Sequence, residues 1–180
     1  MKLLGMEKII ITHAAGSLEQ SWNLGDFMVL KDHLNFAMMS ANSPLVGPND
    51  DKFGPRFVPL SNAYSKQLQA LAFDVAKEQG IASSVHSGVN AMFSGPCYET
   101  IAECRMAQML GAHSVGMSVI PEVHVARHCG VEVLAISMLT NIAVLDYERE
   151  DVANHEEVLE IADKRAKTME AFVMGILKKL

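Results

Sequence analysis

Short apolar runs rich in β-branched residues alternate along this chain with stretches whose apolar residues recur at helical spacing. Such an alternation buries its surfaces as helices layered on a sheet, which makes the fold class α/β. Lys8-Ile9-Ile10-Ile11-Thr12 and Phe27 to Leu30 read as strands. From Asn62 the period changes: Leu68, Leu71, Ala72, Val75 and Ala76 share one helical face, closed by Gly80. A strand around Val89 to Phe93 leads into GPCYETIAE, where Thr100 and Glu103 have the spacing of a capping box for a helix running to Leu110, with Gly111 as its stop. Next come a strand SVGM, a helix PEVHVARHCG with Pro121 in its first turn, and a strand VEVLAISML. A last helix opens at Asn154, with Val158, Ile161, Ala162, Met169, Val173, Ile176 and Leu180 on one face. Leu3-Leu4-Gly5 reads as the last turn of a helix with its glycine stop. No linker interrupts the pattern, so residues 1–180 are expected to form one domain.

The segment from Asp32 to Leu60 is long, polar and rich in Pro and Gly, a length that within a compact domain marks a functional or a disordered stretch. Its Phe36, Phe53 and Phe57 argue against disorder, because disordered tracts are poor in aromatics. The net charge of −6 and the lack of a basic stripe disfavour nucleic acid as a partner. No apolar run reaches the ~18 residues that a membrane span needs, and MKLLGMEK lacks the features of a signal peptide. Cys97, Cys104 and Cys129 are odd in number and lack metal-type spacing, which suits reduced thiols and a cytoplasmic location.

Ligands of α/β sheets gather at the C-terminal ends of strands. Four segments put small or polar residues at such ends: His13-Ala14-Ala15-Gly16, Gly95 to Glu99, Gly116-Met117-Ser118 and Thr140-Asn141. Brought together they would make an apolar pocket with one carboxylate, one amide and one hydroxyl, the make-up of a small-molecule site. Each residue also has a plainer reading. Glu99 serves equally as a first-turn acid, Ser118 as a helix cap and Asn141 as a turn former. Met117 and Tyr98 suit a core, and His155 a solvated first turn. His124 and His128 have the i, i+4 spacing of helical zinc ligands, but Glu122 is misplaced for HExxH and no third ligand is evident, so a partly exposed histidine pair is the better reading. Neither GxxxxGK[ST], GxGxxG nor GxSxG occurs, which disfavours nucleoside triphosphates, dinucleotides and serine hydrolysis.

Taken together, DHLNF, GPNDDKFGPRF, GPCYETIAECR, LGAHSVGMSVIPEVHVARHCG, LTN and DYEREDVANHEEVL resemble the trimeric class of purine nucleoside phosphorylases, in that family's order and spacing. The resemblance implies a central mixed β-sheet flanked by helices, and a pentosyltransferase that cleaves 6-oxopurine (deoxy)ribonucleosides with inorganic phosphate as co-substrate and no cofactor or metal. It implies that Glu99 accepts from N1–H and the 2-amino group, and that Asn141 bonds N7 and O6. Tyr98, Val115 and Met117 would pack on base and ribose, and His155 would reach the 5′-hydroxyl. Ser118 and the backbone of Ala14 would touch phosphate, and Phe57 would close the sugar pocket of a neighbouring subunit in a homotrimer.

Two departures accompany it. His13 stands where the family usually has Asn, and the family's Gly-Ser-rich phosphate loop and Arg-x-His segment would precede residue 1. These 180 residues are therefore expected to be N-terminally truncated relative to the family and to turn over poorly alone. Methylthioadenosine phosphorylases, the nearest alternative, have Asp where Asn141 stands and lack a glutamate at position 99. An inactive purine-binding remnant is the other alternative. An amide able to donate to a 6-oxo group favours the 6-oxopurine reading.

Overall fold

A computed structural model describes residues 1–39, 43–150 and 152–180. Its strands are β1 (Lys8–Ser17), β2 (Phe27–Asn35), β3 (Val85–Met92), β4 (Ser114–Gly116) and β5 (Glu132–Ile142), and its helices α1 (Lys66–Glu78), α2 (Ile101–Met109), α3 (Ile120–His128) and α4 (His155–Leu177). The sheet is mixed, as the resemblance implies, and it closes on itself in the order β1-β4-β3-β2-β5. β1 runs parallel to β5 and antiparallel to β4, while β2 is parallel to β3 and antiparallel to β5. Closure removes the exposed edges that five strands would otherwise present.

Both faces of the central strands are covered, which is why they read as continuous apolar runs rather than alternating ones. Met28 and Leu30 turn toward Ile120 and Val123 of α3, whereas Phe27 and Val29 turn toward α1 and α4. In β5, Val133 and Ala135 follow the first direction, Leu134 and Ile136 the second. α4 buries Met169, Phe172 and Ile176, so its core face includes Phe172 and stops short of Leu180, which is 48% exposed.

Several sequence expectations shift by a few residues. β1 continues through His13–Ser17, so the small residues are the end of the strand itself, with a register shift at Ala15/Gly16. β2 likewise extends to Asn35, making Asp32–Asn35 part of a strand rather than the start of the long loop. Residues 40–42 of that loop lie outside the described residues. Lys2–Leu4 form a short 3-10 turn that ends at Gly5 with φ of 84°.

The rest of the loop is pinned to α3. The Asn49 side-chain amide donates to Asp51 Oδ1 (2.6 Å) and to the Gly54 carbonyl (2.9 Å), and its Oδ1 accepts from His128 Nε2 (2.9 Å). A Cβ on Gly54 would lie 1.8 Å from the His128 carbonyl oxygen, so only glycine allows this approach. His124 instead pairs with His33, their Nε2 atoms 3.3 Å apart. The two histidines that share zinc-like spacing thus serve different partners.

The capping box forms as its spacing predicts. Thr100 Oγ1 accepts from Glu103 N–H (3.2 Å), and Glu103 Oε2 accepts from Thr100 N–H (2.8 Å). Replacing Thr100 by alanine is expected to cost about 1 kcal/mol of stability, read as a lowered midpoint in urea unfolding. An unchanged midpoint would mean that the box contributes nothing to the helix that follows Glu99.

Candidate active site

A cleft of about 420 Å³ opens where the C-terminal ends of β1, β4 and β5 meet the segment that follows β3. β1 contributes Ala14 and Gly16, the β3–α2 connection Pro96, Tyr98 and Glu99, and β4 with its following turn Val115, Gly116, Met117 and Ser118. β5 adds Thr140 and Asn141, and the start of α4 adds His155 and Val158. Every site residue expected from the sequence borders this cleft except Phe57, which is 86% exposed and lies outside it. Val158, read from helical periodicity as a core residue, faces the cleft instead; its position one turn after His155 was the available signal.

Two glycines make the convergence possible. The register shift at Ala15/Gly16 sets Gly16 beside Asn141, and a Cβ there would sit 3.0 Å from Asn141 Nδ2 and 3.3 Å from Val115 Cγ2. Bare backbone thus leaves room for the amide to turn into the cleft. Gly95, with φ of 63°, lets the loop lie on Met117; a Cβ at that position would meet the Met117 sulfur at 2.6 Å. Behind the wall, Thr140 Oγ1 donates to the Ala15 carbonyl (3.4 Å), joining β5 to β1.

The plainer readings of Glu99, Ser118, Met117 and Tyr98 do not fit, whereas His155 is exposed in the first turn of α4, as its plainer reading expects. Glu99 precedes the N-cap Thr100, and the acid in the first turn of α2 is Glu103. The N-cap of α3 is Val119, with no side-chain cap bond, so Ser118 does not cap that helix. Met117 is half-buried and Tyr98 exposed at the cleft wall, unlike core residues.

Glu99 sets the electrostatics. Its Oε1 is buried and has no hydrogen-bond partner. Burial raises its pKa above the ordinary carboxylate range; a backbone hydrogen bond at Glu99 opposes the shift and the nearby Glu103 adds to it. A buried acceptor without a partner is costly and rare, and at a cleft it awaits a donor from a ligand. His13, which precedes Ala14 in β1, lies 2.8 Å from Ser137 Oγ through its Nε2. Burial brings its pKa down to about 4 against the raising effect of a backbone bond at Ala14, so its imidazole is neutral at pH 7. No Lys or Arg borders the cleft among the described residues. The arrangement suits a flat, partly apolar ligand that donates toward Glu99 and exchanges hydrogen bonds with Asn141.

The Phosphorylase superfamily model matches residues 1–178. Purine nucleoside phosphorylase of Bos taurus is 44% identical over 179 residues, covering 99% of this chain and 62% of that protein. Purine nucleoside phosphorylase 1 of Geobacillus stearothermophilus is 45% identical over 182 residues, covering 100% and 63%. Among solved structures, purine nucleoside phosphorylase of Schistosoma mansoni in complex with adenosine superimposes with a TM-score of 0.98 at 50% identity, over 100% of this chain and 64% of that one. The inosine complex of that enzyme gives 0.97 at 50% identity, over 99% and 63%. This chain spans 62% of the length of the Bos taurus and Mus musculus relatives and 51% of that of the Anopheles gambiae one. By that match over nearly all its residues, the chain belongs to the Phosphorylase superfamily.

Proposed function

We propose that this chain, as a single domain, carries the purine-binding half of a purine nucleoside phosphorylase site. The reaction converts inosine or guanosine and inorganic phosphate into free base and ribose 1-phosphate. The observation that carries the reading is the buried, unpartnered Glu99 oxygen in a cleft shared with Asn141. A 6-oxopurine offers the matching donors: its N1–H, and in guanine the 2-amino group, to Glu99. Asn141 in turn bonds N7 and O6 with its amide. Cleavage of the glycosidic bond builds negative charge on the departing purine, so a donor at N7 binds more strongly in the transition state than in the ground state. Val115, Met117 and Tyr98 wall the base and sugar from water, which disfavours hydrolysis. Ser118 and the Ala14 backbone supply neutral donors to phosphate, and His155 supplies one to the 5′-hydroxyl. No helix among the described residues is long and apolar enough to cross a membrane. We assign the protein to the cytoplasm on its free Cys97, Cys104 and Cys129, which suit a reducing compartment.

Calorimetric titration of the 180-residue chain with hypoxanthine tests the binding half, and a turnover assay with inosine and phosphate tests the chemistry. Lack of measurable hypoxanthine affinity would overturn the reading.

Phe57 belongs to this proposal as the sugar cover of a neighbouring copy in a homotrimer. The clamp of Asn49 and Gly54 on α3 supports that role, because it holds the segment while leaving the ring exposed. Phe57→Ala is expected to weaken inosine by roughly three- to tenfold, the worth of one aromatic contact, and to leave hypoxanthine affinity unchanged. Equal inosine affinity in a trimer confirmed by light scattering would remove Phe57 from the site.

A further inference from the structure

Only Met117, Ser118 and Val119 lie between Gly116, which ends β4, and Ile120, which begins α3. The chain reverses at Val119, whose φ is 74° and ψ −40°. It is the one non-glycine residue with positive φ among the described residues. A β-branched residue is a true outlier there, because its Cβ crowds the neighbouring backbone; the negative ψ places the residue near the strained classic γ-turn, where glycine is the occupant without penalty. Strain of this kind persists only where the surroundings over-determine it. Here they do. Val119 is 1% exposed and belongs to the buried cluster that includes Ala15, Ile120 and Val123. Its carbonyl accepts the first helical bond, from Val123 N–H (3.0 Å).

The two residues just before it line the cleft. We propose that Val119 is a positioning residue: burial of its isopropyl group holds a turn that its own backbone disfavours, and that turn aims Met117 and Ser118 into the cleft. A valine present for packing alone would have no reason to occupy this backbone region. The proposal rests on the purine reading of the cleft, in which Met117 walls the base.

Alanine and glycine at position 119 separate the two roles, since both remove the isopropyl group. Alanine keeps the penalty of positive φ and loses the anchor, so the turn relaxes and Met117 moves off the base. Glycine adopts the same turn without an anchor. Hypoxanthine titration of the 180-residue chain is therefore expected to show Val119→Ala weaker than wild type by about tenfold or more, within the range such strain spans. Val119→Gly should stay within about threefold of wild type, because glycine carries no penalty at positive φ. The unfolding midpoint should be higher for glycine than for alanine, the reverse of their usual order.

A packing role alone predicts glycine no better than alanine on both measures, and that result would overturn the proposal. So would wild-type affinity in Val119→Ala. If both small residues unfold the chain, Val119→Asn, a residue type enriched at positive φ, is expected to bind hypoxanthine, and its failure to do so counts against the proposal. A wild-type chain with no hypoxanthine affinity would overturn the purine reading, and this proposal with it. Wild-type binding with an unaffected alanine variant would overturn this proposal alone.

Discussion

Replacing Glu99 by alanine is expected to weaken hypoxanthine about 10- to 100-fold and guanine more, since a hydrogen bond to a charged group contributes roughly 1.5–3 kcal/mol. Guanine loses two such bonds and hypoxanthine one, so the difference between the bases identifies the carboxylate as their shared partner. pH gives an independent check. The carboxylate is the accepting form, and burial raises its pKa. Affinity should therefore fall as pH is lowered through that raised pKa, at a higher pH than an ordinary glutamate would show. Folding stability moves in the opposite sense. With the folded pKa above the unfolded one, the group's contribution is fully present at low pH and is lost as pH rises through the folded value. Glu99→Gln, neutral throughout, should raise the unfolding midpoint at pH 8 relative to wild type and leave it unchanged at pH 4, while still losing purine. Titration of wild type and both variants with the two bases, with melting curves at the two pH values, measures all of this. Equal losses of hypoxanthine and guanine, or a wild-type affinity that is flat with pH, would remove Glu99 from the base-binding role.

What the sequence revealed and what it hid divide along a physical line. The capping box at Thr100, the Asn154 cap, which accepts from Glu156 N–H at 2.9 Å, and the glycine stops at Gly80 and Gly111, both with positive φ, were legible because each is set within a few residues. The faces of α1 and α4 were legible because burial follows helical spacing, apart from Val158, Phe172 and Leu180. Closure of the sheet was not, because it depends on β2 meeting β5 and β1 meeting β4 across long separations. Nor was the extension of β2 through polar Asp32 and His33, where pairing with β3 overrides composition. Local signals place residues at strand ends, but only register brings Gly16 beside Asn141. Val119 shows the converse. Nothing in GMSVIPE marks a valine with positive φ, because the core that enforces it comes from distant elements.

Asn141→Asp should reverse the choice between 6-oxo and 6-amino purines. Asn141 follows buried Thr140 on β5 and turns into the cleft over Gly16, where even a Cβ would crowd its amide. A side-chain amide can donate through Nδ2 and accept through Oδ1, so it can serve N7 and a 6-oxo oxygen by donation. Aspartate has nearly the same shape and only acceptors when ionised. Against hypoxanthine it faces O6 without a donor, and one unsatisfied buried acceptor costs about 1–3 kcal/mol. Against adenine it meets the 6-amino group, a donor, and gains a charge-assisted bond. The two effects have opposite signs, so the ratio of hypoxanthine to adenine affinity should fall by at least about tenfold even if both absolute affinities decline. The introduced carboxyl group could donate when protonated, which would mute the effect, so the ratio should shift further as pH rises from 5 to 8. Competitive titration of both bases across that pH range measures the ratio without requiring turnover. A ratio equal to wild type at pH 8 would mean that Asn141 does not contact the 6-position, and the purine would then have to sit in the cleft in another orientation.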